Sequence, residues 1–134
     1  MQATDAAEAS FGLSTIGQIA LAVSQLDRAV AFYRDALGMR QLFQVPKMSF
    51  FDLNGLRLMI GEGESPGAGH SSVLYFRVGD IHEAARALEG RGVAFERAPH
   101  LVARMPDHDL WMAFFRDPDH NPLALMSEVR PGHP

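Results

Sequence analysis

The chain offers six histidines, sixteen carboxylates and no cysteine for chemistry. The absence of thiols excludes disulfides, thiolate nucleophiles and cysteine metal sites. His108 has the most suggestive neighbours, because Asp107 and Asp109 flank it. A carboxylate beside an imidazole can orient it as a hydrogen-bonding group or a base. The same run, Met105-Pro106-Asp107-His108-Asp109, also reads as a polar turn entering a strand. His70, in a loop before a strand, reads either as a ligand contact or as a solvated imidazole. His82 falls in the first turn of a helix and should face solvent, while His100 flanks a short edge strand. Spacing suggests no Ser/His/Asp arrangement and no glycine-rich phosphate loop. The larger resource is apolar: Phe50, Leu58, Met59, Tyr75, Trp111, Ala113 and Phe115 could line an adaptable groove, and equally read as core.

Positioning such residues requires strands, and the clearest lie at Leu110–Met126. There an aromatic and aliphatic run, the polar turn Asp117-Pro118-Asp119-His120-Asn121 and a second apolar run predict a hairpin. Alternation places Trp111, Ala113 and Phe115 on one face and Met112 and Phe114 on the other, without saying which looks inward. His120 in this turn must accept a positive φ or shift the turn. Earlier, Ser14–Val23 alternates as a strand. Ser24 with Asp27 resembles a capping box opening a helix whose face is Leu26, Val30, Tyr33 and Leu37, closed by Gly38. Strands are predicted at Met39–Val45, Met48–Leu53 and Leu56–Ile60, the last two joined by an Asn54-Gly55 turn. After a Gly/Pro-rich loop at Gly61–Gly69 the order recurs. Ser72–Val78 is a strand, Asp80 and Glu83 open a second helix along Ile81, Ala84 or Ala85 and Leu88, and Gly90 and Gly92 stop it. Val93–Glu96 and Leu101–Met105 then precede the hairpin as short strands.

Two copies of strand, helix and three strands therefore occupy residues 15–62 and 71–128, within one domain at 14–129. Met1–Leu13 reads as a flexible arm able to lie on a partner subunit, and residues 130–134 as a tail. At 134 residues the chain suits one domain, and 47% apolar with 21% charged residues is globular composition. A formal charge of −4 gives no electrostatic reason for a nucleic-acid partner. There is neither an apolar run of membrane-spanning length nor an export signal, so no membrane association and a cytoplasmic location are the expectation.

The pattern resembles the vicinal oxygen chelate superfamily, the glyoxalase, bleomycin-resistance and extradiol dioxygenase group. The likeness covers Ile16–Ser127. It is carried by Ile19–Val23, Leu26-Asp27-Arg28, Phe32-Tyr33-Arg34-Asp35-Ala36-Leu37-Gly38, Phe76–Asp80, and Phe114-Phe115-Arg116-Asp117-Pro118-Asp119-His120-Asn121. It implies an α+β fold of paired βαβββ modules. It also implies metal ligands on the first and last strand of each module, at positions that here hold Gln18, Met59, Val73 and Ala124. Only Gln18 offers even a weak donor, so no metal and no cofactor are expected.

The resemblance thus implies a homodimer binding a small, partly apolar or aromatic ligand without metal, as antibiotic-sequestering relatives do. The residues expected to meet it are Gln18, Phe50, Met59, Tyr75, His108 and Trp111. Two alternatives stand beside this. One is a glyoxalase-like or dioxygenase-like enzyme with a displaced site using His70, His108 or Gln18, and the other a non-catalytic interaction protein.

Overall fold

A computed structural model describes residues 11–63 and 72–130. Strand β1 (Gln18–Val23) starts later than the expected Ser14. Helix α1 is α-helical over Leu26–Val30 and widens into π-helical winding over Ala31–Ala36. The Leu37 N–H reaches the Phe32 carbonyl at 2.9 Å, five residues back. The expected Ser24/Asp27 capping box does not form. Gln25 is the N-cap and makes no side-chain cap, while Ser24 Oγ donates to Asp119 Oδ1 at 2.6 Å. A carboxylate from the other half of the chain is the stronger acceptor for that hydroxyl. The vacated helix start is satisfied by Glu62 Oε2, which accepts from the Leu26 N–H at 2.8 Å.

Gly38, at φ +77°, closes the helix in the left-handed region that glycine adopts without steric cost. Strands β2 (Arg40–Val45), β3 (Met48–Leu53) and β4 (Leu56–Glu62) follow as an antiparallel meander. Asn54 and Gly55 both have positive φ, as a two-residue type I′ turn requires. β4 then lies parallel to β1, giving the order β1-β4-β3-β2.

The second module repeats this with β5 (Leu74–Arg77), α2 (Ile81–Gly90), β6 (Phe95–Arg104), β7 (Asp109–Arg116) and β8 (Pro122–Val129), ordered β5-β8-β7-β6. Asp80 caps α2 by accepting from the His82 and Glu83 N–H groups at 3.1 Å each. The two short strands expected at Val93–Glu96 and Leu101–Met105 are one continuous β6. Its register shifts against β7 at three places, and these irregularities absorb the Ala98-Pro99 step that made the sequence look broken. The fold is thus α+β, two four-stranded βαβββ modules.

Each sheet has a helix face and an open face. Val23, Phe51, Leu58 and Ile60 in the first module, and Ala113, Phe115, Leu123 and Leu125 in the second, join Leu26, Val30, Tyr33 and Ile81 in one cluster of buried side chains. Burying each large one contributes roughly 1.5–3 kcal/mol. The modules meet through this helix side. Phe32 and Phe115 lie 6.5 Å apart, Asn121 Nδ2 donates to the Ala22 carbonyl at 3.2 Å, and Arg91 Nη1 donates to the Ala36 carbonyl at 3.0 Å. Joining the modules on that side leaves the opposite faces of both sheets outward.

Candidate functional site

Strand pairing decides which side chains share the open faces, since Cα partners in neighbouring strands point the same way and neighbours along a strand alternate. Met59 is flanked by Ala20 on β1 and Phe50 on β3, and Phe50 pairs with Phe43 on β2. The Phe43 and Phe50 rings stack at 4.5 Å, and the Arg57 guanidinium lies 5.7 Å from the Phe50 ring centre. Ala20, Ala22 and Gly61 keep this surface low, and with Leu21, Met48, Met59 and Glu62 they line an open depression of about 360 Å³. Met48 packs over Gly61, its Cγ at ordinary contact distance, 3.5 Å, from where a side chain's first carbon would lie.

The second open face is built alike. Tyr75 on β5 is the partner of Ala124, which is the partner of Phe114. The Tyr75 and Phe114 rings meet edge to face at 6.3 Å, and His100 lies 6.1 Å from Phe114. Ala124, fully buried beneath these rings, is too small to lift them from the sheet. Tyr75 keeps 47% of its surface exposed and Phe43 47%, so both faces present aromatic surface to solvent.

The expected site residues divide. Gln18, Phe50 and Met59 share the first open face by register, and Tyr75 belongs to the second. Trp111 does not join Tyr75. Alternation along β7 sends Trp111, Ala113 and Phe115 to the helix face, where the Trp111 ring meets His82 of α2 at 5.3 Å. Leu58, Ala113 and Phe115 are likewise core rather than groove. His82 is exposed, as expected of the first turn of the helix, with the Trp111 ring beside it. His108 sits in the β6–β7 turn with Nδ1 2.8 Å from Asp107 Oδ1. Arg130 foremost, and His108 after it, hold the Asp107 carboxyl below its usual range. The triplet ties this turn to the end of the described chain, with the His108 side chain 14% exposed and the Asp107 and Arg130 side chains open to solvent. His70 lies outside the described residues.

Sequence reasoning missed Arg57, Arg77 and Phe114 as open-face residues. The signal was present in the alternation, because Arg57 is two residues from Met59 and Arg77 two from Tyr75. What was lacking was the knowledge of which face each strand turns outward.

The positions at which metal ligands are implied do not fit a divalent ion. Gln18 supplies an amide, Met59 a soft thioether, Val73 and Ala124 no donor at all. Among the described residues no group of three His, Asp or Glu side chains converges as such an ion needs. A second concavity, about 280 Å³, lies between the modules on the helix side, lined by Leu37, Met39, Leu53, Phe76, Leu88 and Leu125 among others. Every lining residue is apolar, so it lacks the polar groups that orient a specific ligand. Among the described residues no helix is long and apolar enough to cross a membrane.

Comparison with known proteins agrees with this geometry. The uncharacterized protein YraH of Bacillus subtilis (strain 168) is 30% identical over 126 residues, covering 81% of this chain and 94% of that protein. The crystal structure of lactoylglutathione lyase from Agrobacterium tumefaciens superposes with a TM-score of 0.68 at 24% identity, covering 86% of this chain and 94% of that one. A glyoxalase/bleomycin resistance protein/dioxygenase from Nocardioides superposes with a TM-score of 0.73 at 18% identity, over 99% and 97% of the two chains. These structural likenesses speak for the fold. The family model of the glyoxalase/bleomycin resistance protein/dioxygenase superfamily matches residues 15–125. With both βαβββ modules in place and that match spanning them, the chain belongs to the glyoxalase/bleomycin resistance protein/dioxygenase superfamily.

Proposed function

We propose that this protein binds a small aromatic ligand on the open faces of its sheets, without a resident metal ion. The observation that carries this reading is the exchange of side chains around Met59 and Ala124. Where the fold would carry metal-binding carboxylates, a thioether and a methyl stand among Phe43, Phe50, Tyr75 and Phe114. Thioether and aromatic surfaces favour an apolar planar guest, since flat rings stack and methionine adapts to irregular shapes. Ligand capture of this kind needs affinity and no bond making.

The working unit in this reading is a homodimer. Three features support it. Both open faces stay exposed in a single chain, and β1 and β5 each pair on one side only among the described residues. Phe11, Leu13 and Ile16 also leave their side chains exposed, which a partner subunit would cover. A second copy set against these faces encloses a groove that one chain leaves open. The test is calorimetric titration of the full chain with planar aromatic compounds, alongside light scattering. Saturable binding by a dimer supports the reading, and a monomer that binds none of them refutes it.

A further inference from the structure

The open faces carry charge as well as rings, and arginine predominates in it. Register places Arg40, Arg57, Arg77, Arg97 and Arg116 on them: Arg57 with Met59, Arg77 with Tyr75, and Arg97 as the partner of Phe114. Two of the five are neutralised. Arg40 lies 3.9 Å from Asp52, and Arg116 donates to Glu96 at 2.8 Å. Arg57, Arg77 and Arg97 have no carboxylate partner among the described residues. Besides Glu96, three acids adjoin these faces: Asp52, cross-strand neighbour of both Arg40 and Arg57, Glu62 at the first depression, where it accepts from the Leu26 N–H, and Glu128 at the far end of β8 opposite Leu110. The predominance of arginine contrasts with a chain whose formal charge is −4.

Position matters more than number. Arg57 already lies against Phe50, beside the Phe43 stack. Arg97 neighbours Phe114, and Arg77 extends the row that Tyr75 begins. Each face therefore offers a ring surface with a guanidinium at its edge. Such a pair suits a flat π-system bearing an anionic group, because the ring stacks while the planar fork receives two oxygens. A cationic guest meets three unpaired positive charges and is disfavoured.

We infer that the ligand is a planar aromatic anion, a carboxylate or a similar oxyanion on a fused or substituted ring. This rests on the open-face binding proposed above and adds the sign of the charge. Binding is measured by calorimetry at low and high salt, using 2-naphthoate, neutral 2-naphthalenemethanol and cationic 2-naphthylmethylammonium on the full chain. The expected order is naphthoate tightest and the cation weakest, with the gap shrinking at high salt as screening grows. Arg57→Gln and Arg77→Gln each weaken naphthoate about threefold to tenfold and leave the neutral compound unchanged. Both residues are exposed, so the variants keep the wild-type melting temperature.

Equal affinity for all three compounds, unmoved by the arginine changes, overturns the charge assignment while the groove itself stands. Binding that Ala84→Leu abolishes and Arg57→Gln leaves intact puts the guest in the helix-side cavity and overturns it too. If none of the three binds, the open-face reading fails and takes this inference with it.

Discussion

The Tyr33 hydroxyl donates to Asp117 Oδ2 at 2.8 Å across 84 residues of sequence, joining the first helix of one module to the last turn of the other. Both groups are buried, Tyr33 completely. Asp117 is otherwise saturated by its own turn, since its Oδ1 accepts from the Asp119 and Asn121 N–H groups and its Oδ2 from Asn121 Nδ2. Among the described residues the phenol is thus the one bond to Asp117 supplied by the first module. Tyr33→Phe should cost about 1.5–3 kcal/mol, the range for a hydrogen bond to a charged group. Urea unfolding checks this, and a loss under about 0.5 kcal/mol would mean the bond adds little beyond ring packing.

The same pair sets a pH dependence. Burial foremost, then the Asp117 charge, hold the Tyr33 phenol protonated well above its ordinary value of 10.0. Its folded pKa therefore exceeds the unfolded one, so its contribution is fully present below about pH 10 and is lost as pH climbs past that value. The urea midpoint of the wild type should fall more steeply above pH 10 than that of Tyr33→Phe. Parallel slopes in the two proteins would remove Tyr33 as the source.

Asp119 ties the same turn to the start of α1. Its Oδ1 accepts from Ser24 N at 3.0 Å, Ser24 Oγ at 2.6 Å and Arg28 Nη2 at 3.2 Å. Its Oδ2 is buried without a protein partner among the described residues. Asp119→Ala should destabilise by about 1–3 kcal/mol, because the Ser24 N–H loses its acceptor. Ser24→Ala should cost less, about 1 kcal/mol, since Asp119 keeps its bonds to Ser24 N and Arg28. Denaturant titration of the two variants gives the ranking, and the reverse order would contradict it.

His120 stands at φ +68° with an exposed side chain, a backbone region that costs a non-glycine residue about 1–2 kcal/mol. Arg116 Nη1 donates to its backbone carbonyl at 2.9 Å, a bond that replacing the side chain leaves in place. His120→Gly should stabilise by roughly 0.5 kcal/mol, the relief being partly offset by glycine's unfolded-state entropy. A lower melting temperature would indicate that the imidazole makes a favourable contact.

The helix-side cavity gives a control for the groove. Ala84→Leu fills it and should raise stability by about 0.5–2 kcal/mol. Ligand affinity should not change, as Ala84 lies on α2, away from both open faces. Thermal unfolding and calorimetry on one preparation read both effects, and a destabilised variant would mean the space is too tight for leucine.

Much of the fold was legible because local chemistry and tertiary structure agree. Asn54-Gly55 adopts the turn its residues favour, Asp80 caps the helix it precedes, and Gly38 takes the left-handed cap. Disagreement arose where a distant group competed. Ser24 looked like a helix cap and is held by Asp119, a partner 95 residues away that spacing cannot reveal. The β6 strand looked interrupted because Pro99 weakens a strand pattern, and only pairing with β7 shows the bulges that accommodate it. The site was half legible. Alternation along β7 separated Trp111 from Phe114, yet the outward face depended on where α2 packs. Hence Trp111 was expected in the groove and Phe114 was the residue beside Tyr75.

The most direct test of metal-independent aromatic binding is a calorimetric titration with 2-naphthoate on protein treated with chelator. It is repeated after incubation with nickel, zinc, manganese or anaerobic ferrous iron and desalting, with metal content read by mass spectrometry. The account predicts no stoichiometric ion and the same saturable binding in every preparation. One retained ion per chain, or binding that appears only after metal is supplied, would contradict it.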